Sequence, residues 1–182
     1  INPYLVGESA GRAVLDSIRA VRQMPDLQGQ LGPWNALWGH SQGGHAVLWA
    51  GQLHAQYAPE LRLSGIAAAA PATNLGELLD DDASTAAGKI LVAMAVHSWS
   101  NVFGYPVGSF SAARDIPAIE EAGRDCSDIT SSALDALQSV SAISGQYLKA
   151  NPATTPPWAA TMAKNSPGAM AIKVPVLIVQ GE

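Results

Sequence analysis

Gly39-His40-Ser41-Gln42-Gly43, with Gly44 next, is the stretch that decides the fold of this chain. It lies between two segments of different periodicity. Pro33 to Trp38, a short apolar run that ends in glycine, precedes it and predicts a β-strand. Gln42 to Tyr57 follows it and predicts an α-helix. The stretch is therefore expected to form a sharp turn from strand to helix.

A G-x-S-x-G pattern in this context is typical of the nucleophile elbow of α/β-hydrolases. Presenting Ser41 at the tip of the turn forces its backbone into a strained conformation, and we expect side chains at Gly39 and Gly43 to collide across it. The helix that follows points free N–H groups at the space above Ser41, where an oxyanion would form. The alternative is a helix N-cap serine in a glycine-rich turn.

Composition excludes several classes of protein. The length of 182 residues suits one domain, or one domain with an insertion, and 48% apolar residues suffice for a core. A net charge of −5 gives no electrostatic support for nucleic-acid binding. No stretch is long and apolar enough to span a bilayer. The chain begins at Ile1 without an initiator Met, so a missing leader proves nothing.

The sequence predicts neither a metal site nor a cofactor. No His, Cys or Asp cluster has ligand spacing, and the glycines near Ser41 lack the lysine of a phosphate-binding loop. Cys126 is the single cysteine, so it forms no internal disulfide. It is either a buried thiol or half of a bridge whose other half lies outside this chain.

Other segments predict an α/β architecture. Gly7 to Met24 has the spacing of an amphipathic helix that Pro25 ends. Leu63 to Ala70 and Val174 to Gln180 are continuous apolar runs, as in strands of a parallel sheet covered on both faces. Strand, helix and strand in this order predict crossover connections between parallel strands.

Between the last two strands we expect an inserted cap. Residues 72–173 look mostly helical and are too long for a simple crossover, so they divide the chain into a hydrolase core (1–71), a cap (72–173) and a return strand (174–182). Within this insertion we expect one helix that begins with Ser84 as its N-cap and ends at about Phe103. Two further helices are expected over Ile116 to Ala122 and over Ser131 to Val140. Insertions above the carboxyl ends of strands build ligand pockets. We therefore expect an acyl pocket lined or covered by Leu91, Val92, Trp99 and Phe103; alternatively, these residues form only the core of the cap.

The chain resembles the secretory lipase family of α/β-hydrolases, as a central fragment. The resemblance is carried by Gly39-His40-Ser41-Gln42-Gly43-Gly44-His45-Ala46, by Leu15-Asp16 with Arg19-Ala20-Val21-Arg22, by Ala70-Pro71-Ala72-Thr73-Asn74-Leu75 and by Val174 to Glu182. It implies an extracellular lipase or esterase with a Ser-Asp-His triad. Ser41 would be the nucleophile, and the backbone N–H of Gln42 one oxyanion donor.

The resemblance also implies that part of the active site lies outside this chain. In the family the acid follows the strand that matches Val174 to Gln180, and the histidine comes later, whereas this chain stops at Glu182. The second oxyanion donor comes from a loop after an early strand, also absent. We therefore expect completion by further residues of the parent chain or by a second chain.

Residues within the chain are poor substitutes for the missing partners. Of His40, His45, His54 and His97, none follows an acid in the order Ser, acid, His. His45 is expected to be a packed or partly exposed helix residue, and His97 a pocket wall. Asp80-Asp81-Asp82 is expected to be a solvated loop or a helix-start signal rather than the triad acid.

These observations predict a serine hydrolase that cleaves carboxylic esters, with acylglycerols as the expected substrate and with the cap in contact with a lipid interface. Two alternatives stay open. The same elbow serves serine peptidases and acyltransferases, and a binding protein with a silent serine would keep the fold without the chemistry.

Overall fold

Helices form where apolar residues recur at helical spacing, and strands form in the short apolar runs. The computed structural model describes residues 3–109, 111–124, 143, 147–151 and 153–181. The chain divides into two units. The strand unit comprises Leu5–Thr73 and Lys164–Glu182, and the helical unit comprises Ile1–Tyr4 and Asn74–Ala163. The assignment of 1–71, 72–173 and 174–182 as core, cap and return strand stays a prediction.

Three parallel strands form the sheet of the strand unit. β1 (Trp34–His40) pairs with β2 (Arg62–Ala69), and β2 pairs with β3 (Val176–Val179), so β2 is the middle strand. α1 (Gly7–Gln23) precedes the sheet, and α2 (Gln42–Tyr57) connects β1 to β2. The predicted α/β class, with parallel strands and helical crossovers, is confirmed.

Glycines allow α1 to lie directly against α2. A Cβ on Gly11 would stand 2.8 Å from the backbone carbon of Trp49, and a Cβ on Gly7 would overlap the Trp49 ring. The other side of α2 packs on the sheet, and the buried apolar side chains of this core include Leu15, Leu37, Val47, Leu48, Ala50, Leu63, Ile66 and Ala68. Burying each large one contributes about 1.5–3 kcal/mol, and together they fix the start of α2 relative to the end of β1.

The two edge strands expose large apolar side chains. Trp38 on β1 is 71% exposed and Leu177 on β3 is 60% exposed. Both pair with Ala67 of the middle strand, so a small residue lies between two large ones. Apolar surface beside open strand edges is the kind that further strands or helices bury in larger sheets.

In the described part of the chain four further helices follow: α3 (Leu75–Asp82), α4 (Ala86–Phe103) and α5 (Ile116–Arg124) lie in the helical unit, and α6 (Trp158–Asn165) leads from it into the strand unit. α5 lies close to α4, and Gly123 permits this approach. A Cβ on Gly123 would overlap His97 and would lie 3.0 Å from the carbonyl oxygen of Ala93. In the part of the chain that is described, no helix is both long and apolar enough to cross a membrane.

Two expectations about helix ends are wrong. The N-cap of α4 is Thr85, whose Oγ1 accepts a hydrogen bond from the N–H of Gly88 at 2.9 Å, and not its neighbour Ser84. Asp80-Asp81-Asp82 forms the end of α3 and is neither a loop nor a helix start. Asp80 is held there, because its Oδ1 accepts a hydrogen bond from Asn151 Nδ2 at 2.7 Å. The expected helix over Ser131 to Val140 and the predictions for Cys126 lie outside the described residues.

Candidate active site at the strand-to-helix turn

Ser41 occupies the turn between β1 and α2 in a strained backbone conformation. Its φ of 55° and ψ of −118° lie in a region that L-residues rarely adopt. Such conformations cluster at functional sites, where the surrounding structure holds them. The serine is exposed, and although it stands at the N-cap position its side chain makes no capping hydrogen bond. The N-cap interpretation therefore does not account for this residue.

Hydrogen bonds hold the backbone of Ser41 from both sides. Its N–H donates to the carbonyl oxygen of Ala69, at the end of β2, over 2.9 Å. Its own carbonyl oxygen accepts from the N–H groups of His45 and Ala72, each at 3.1 Å. The first of these two bonds begins the α2 ladder, and the second comes from the segment after β2. The strained turn is thus anchored to the middle strand.

The glycines of the elbow have different roles. A Cβ on Gly39 would overlap the carbonyl group of Gly43, as expected. The expectation for Gly43 is wrong, because none of the described atoms lies within 4 Å of a Cβ built there. The second close approach belongs to Gly44, whose Cβ would lie 2.8 Å from Cα and Cβ of Pro71. Gly44 therefore permits the contact between α2 and the chain that leaves β2.

The start of α2 is an electropositive position beside Ser41. Gln42 is its first residue, so the N–H of Gln42 has no partner within the helix. The first turn carries no acidic residue that would neutralise the positive end of the helix dipole. An anion that forms above the serine would be stabilised there. The role of Gln42 as an oxyanion donor stays a prediction.

A buried polar cluster ties the same helix to a distant part of the chain. His45 Nε2 lies 2.9 Å from the main-chain oxygen of Asn165, and Trp49 Nε1 donates to the same oxygen at 2.9 Å. The side-chain Oδ1 of Asn165 accepts from the N–H of Gly7, the first residue of α1, also at 2.9 Å. Burial lowers the pKa of His45, and its hydrogen bond to Asn165 opposes this shift only in part. A neutral histidine results, and its burial agrees with the expected packed position on the helix.

The other described histidines lie elsewhere. His54 Nε2 is 2.6 Å from the carbonyl oxygen of Leu61, and His97 on α4 contacts Asn101. His40 is exposed on β1. The described residues contain no group of three or more His, Cys, Asp or Glu that could hold a metal ion.

The predicted pocket residues lie in the helical unit. Trp99 is completely buried and stacks on Trp158, with ring centroids 6.4 Å apart. Phe103, one turn further along α4, is half-buried, and its ring lies 5.6 Å from that of Tyr105. Trp99 therefore belongs to the core of its unit. Whether either side chain contacts an acyl chain stays a prediction.

Sequence reasoning missed two contributors to the elbow. Asn165 carries no local signal, since its contact with His45 spans 120 positions. Ala70 takes a left-handed φ of 41° without being glycine, so composition does not reveal it. Pro71, which follows β2, is the one visible mark of a change in chain direction at that point.

The chain is similar to proteins that are described as lipases and esterases. A family model described as secretory lipase matches residues 2–113. Among curated proteins, a secreted triacylglycerol lipase of Malassezia furfur is 36% identical over 89 residues, which cover 48% of this chain and 17% of that protein. A trichothecene C-3 esterase of Fusarium sporotrichioides is 42% identical over 76 residues, which cover 40% of this chain and 17% of that protein.

Solved structures resemble nearly the whole chain. Candida antarctica lipase A superposes with a TM-score of 0.73 at 18% identity, over 98% of this chain and 42% of the lipase. The rice cell wall degrading esterase LipA of Xanthomonas oryzae superposes with a TM-score of 0.77 at 22% identity, over 99% of this chain and 51% of the esterase. The chain thus has part of an α/β-hydrolase fold and spans about half the length of these neighbours.

Proposed function

The chain belongs to the secretory lipase family, and from this premise we propose that it carries the nucleophile of a secreted serine hydrolase that cleaves carboxylic esters. The observation that carries the proposal is the conformation of Ser41. An exposed serine has φ 55°, stands next to the N–H of Gln42, which has no partner within α2, and makes no capping bond. This arrangement suits a reacting group better than a structural one.

In the proposed reaction, Ser41 Oγ attacks the acyl carbonyl carbon while a histidine takes the hydroxyl proton. The N–H of Gln42, at the positive end of α2, donates to the oxyanion of the tetrahedral intermediate. The intermediate collapses, the alcohol leaves with the proton from the histidine, and water then hydrolyses the acyl-enzyme to release the acid. The histidine, and the aspartate that orients it, belong to hydrolase segments outside this chain.

We propose acylglycerols as the substrate class, on the strength of the triacylglycerol lipase among the relatives. The trichothecene esterase among the same relatives makes a smaller ester the second candidate. Trp99 and Phe103 would contribute to the acyl pocket, and the helical unit would contact the lipid interface. Peptidase or acyltransferase activity, or binding without catalysis, are the competing functions.

Covalent labelling of the full-length protein tests the nucleophile. A fluorophosphonate should modify Ser41 alone, as read by peptide mapping. Ser41→Ala should lower kcat roughly 10⁴-fold or more without unfolding the protein. Ser17→Ala is the matched control, since Ser17 is exposed on α1 and its hydroxyl donates to the carbonyl oxygen of Val14 within the same helix. Labelling at another serine would remove Ser41 from this role.

Substrate profiling separates the candidate functions. We expect hydrolysis of p-nitrophenyl esters from acetyl to palmitoyl and of an emulsified triacylglycerol, with a preference for longer chains. Activity confined to acetyl esters would favour the small-ester function. Cleavage of an acylated peptide amide at a comparable rate would favour a peptidase. A folded protein that is neither labelled nor active would favour a binding protein.

A further inference from the structure

We propose that the clamp segment, Ala69–Ala72, positions Ser41 for attack, and that the left-handed conformation of Ala70 is what allows it to do so. The inference rests on the proposed role of Ser41 as the nucleophile. It assigns a function to residues that touch neither the substrate nor the hydroxyl, so Ala70 is a positioning residue.

The clamp segment holds both backbone polar groups of the serine. The carbonyl oxygen of Ala69 accepts from the Ser41 N–H at 2.9 Å, which continues the parallel ladder between β1 and β2. The N–H of Ala72 donates to the Ser41 carbonyl oxygen at 3.1 Å, beyond the end of β2. The peptide groups on both sides of the serine are thereby fixed to one short segment.

The second bond depends on the conformation of Ala70. Its φ of 41° turns the chain out of the strand direction. With an extended φ the segment would continue at about 3.3 Å per residue, and the N–H of Ala72 would be carried past Ser41. The N–H of Ala70 itself donates to the carbonyl oxygen of Val179 at 2.6 Å. The strained residue is therefore bonded to β3 while its neighbours are bonded to the serine.

Packing stiffens the clamp segment. Pro71 is buried, and its Cα and Cβ would lie 2.8 Å from a Cβ on Gly44, in the first turn of α2. The ring of Pro71 fixes its own φ and so limits the path of the chain from Ala70 to Ala72. The segment thus contacts the helix that supplies the Gln42 N–H as well as the serine. Released from it, Ser41 could relax from its φ of 55°, which would move Oγ away from that N–H. A misplacement of about 1 Å can cost about 100-fold in rate.

Two substitutions at Ala70 test the proposal in the full-length protein. Ala70→Gly accepts a positive φ without strain, whereas the β-branched side chain of Ala70→Val strongly disfavours it. We expect Ala70→Gly to keep kcat within about 3-fold, because the clamp bonds are retained. We expect Ala70→Val to lower both kcat and the rate of fluorophosphonate labelling of Ser41 about 10- to 100-fold, with KM within about 3-fold.

Amide hydrogen exchange tests the hydrogen bond from Ala72 to Ser41 independently of catalysis. The Ala72 N–H should exchange slowly in the wild type and in Ala70→Gly, and faster in Ala70→Val. If the wild type is not labelled by the fluorophosphonate, the proposed function fails, and the exchange of Ala72 still decides whether Ala70 holds the bond to Ser41. Pro71→Ala is a milder second variant, for which we expect faster Ala72 exchange and severalfold slower labelling.

Asn74→Val is the matched control, because Asn74 also has a left-handed φ, of 49°, and lies outside the clamp segment. It should leave the labelling rate of Ser41 unchanged. Unchanged labelling and exchange in folded Ala70→Val would overturn the proposal. If Ala70→Val does not fold, unchanged values in Pro71→Ala would do the same. If Asn74→Val slows the labelling of Ser41 as much as Ala70→Val does, the proposal is also overturned, because the effect would then come from general backbone strain.

Discussion

His45 Nε2 lies 2.9 Å from the main-chain oxygen of Asn165, 120 positions further along the chain. A carbonyl oxygen only accepts, so the proton of the neutral ring is on Nε2. Nδ1 is then an acceptor, and it is buried without a partner among the described residues. His45 stands one helical turn after Ser41, so the bond fixes the part of α2 that carries the elbow.

Because His45 Nε2 donates a hydrogen bond, we expect two substitutions of His45 to differ in their effect on stability. His45→Gln offers an amide N–H at a similar reach and should keep the bond to Asn165. His45→Leu removes the donor and should lower the free energy of unfolding by about 1–2 kcal/mol more than His45→Gln. Urea unfolding of both variants checks this. Equal stability of the two would mean that the bond is not what holds α2 here.

The lowered pKa of His45 predicts a dependence of stability on pH. In the unfolded chain the imidazole binds a proton as the pH falls through its ordinary pKa of 6.5, whereas burial keeps the folded ring neutral to a lower pH. Between these two pKa values the unfolded state holds more protons, so stability decreases as the pH falls, by at most about 1.4 kcal/mol per pH unit. Above pH 6.5 this contribution is fully present.

His45→Gln is the control for that titration. The difference in unfolding free energy between the wild type and His45→Gln should be constant above about pH 7 and should shift against the wild type below pH 6.5. Asp16 and Glu60 also titrate in acid, because hydrogen bonds lower the pKa of Asp16 (from Tyr57) and of Glu60 (from Arg19). Their contributions cancel in the comparison. A difference independent of pH from 5 to 8 would contradict the buried, neutral His45.

Two glycines of the elbow should respond in opposite ways to alanine. Gly39→Ala places a Cβ on the carbonyl group of Gly43, which is backbone and cannot rotate away. We expect it to cost about 1–3 kcal/mol or more and to abolish labelling of Ser41. Gly43→Ala meets none of the described atoms within 4 Å and replaces a helical glycine. It should be tolerated or gain roughly 0.5–1 kcal/mol.

Thermal unfolding and fluorophosphonate labelling of the full-length variants measure the effects of Gly39→Ala and Gly43→Ala. Unfolding of Gly43→Ala would show that the space beside Gly43 is filled in the whole protein. Full activity of Gly39→Ala would contradict the geometry of the turn.

Sequence alone predicted the elements that depend on local signals. The sequence places both ends of Gln42–Tyr57 correctly, because a glycine turn and an Ala-Pro pair bound it. The sequence places the N-cap of α4 one residue too early, because Ser84 and Thr85 are adjacent hydroxyl residues and only geometry selects between them. The supports of Ser41 were not predictable. They are hydrogen bonds from the N–H of Ala72 to the carbonyl oxygen of Ser41 and from His45 Nε2 to the main-chain oxygen of Asn165, between residues that no periodic pattern relates.

The last prediction concerns the two stacked tryptophans of the helical unit. Trp99 and Trp158 are both completely buried, and their rings stack at 28°. They differ in the hydrogen bonds of their indole N–H groups. Trp158 Nε1 donates to Ser109 Oγ at 2.8 Å, whereas Trp99 Nε1 has no partner among the described residues. Truncation to phenylalanine therefore breaks a hydrogen bond at Trp158 but none among the described residues at Trp99.

We expect Trp158→Phe to lower the free energy of unfolding by about 1 kcal/mol more than Trp99→Phe, because it also leaves the Ser109 hydroxyl without its donor. Guanidinium unfolding, followed by the fluorescence of the remaining tryptophans, measures the difference. The same proteins, with Phe103→Ala, test the acyl-pocket prediction on p-nitrophenyl esters of increasing length. A changed chain-length preference in Trp99→Phe or Phe103→Ala, with Trp158→Phe unchanged, would place α4 against the acyl chain. Equal stability losses for the two tryptophan variants would contradict the assignment of the hydrogen bond to Trp158.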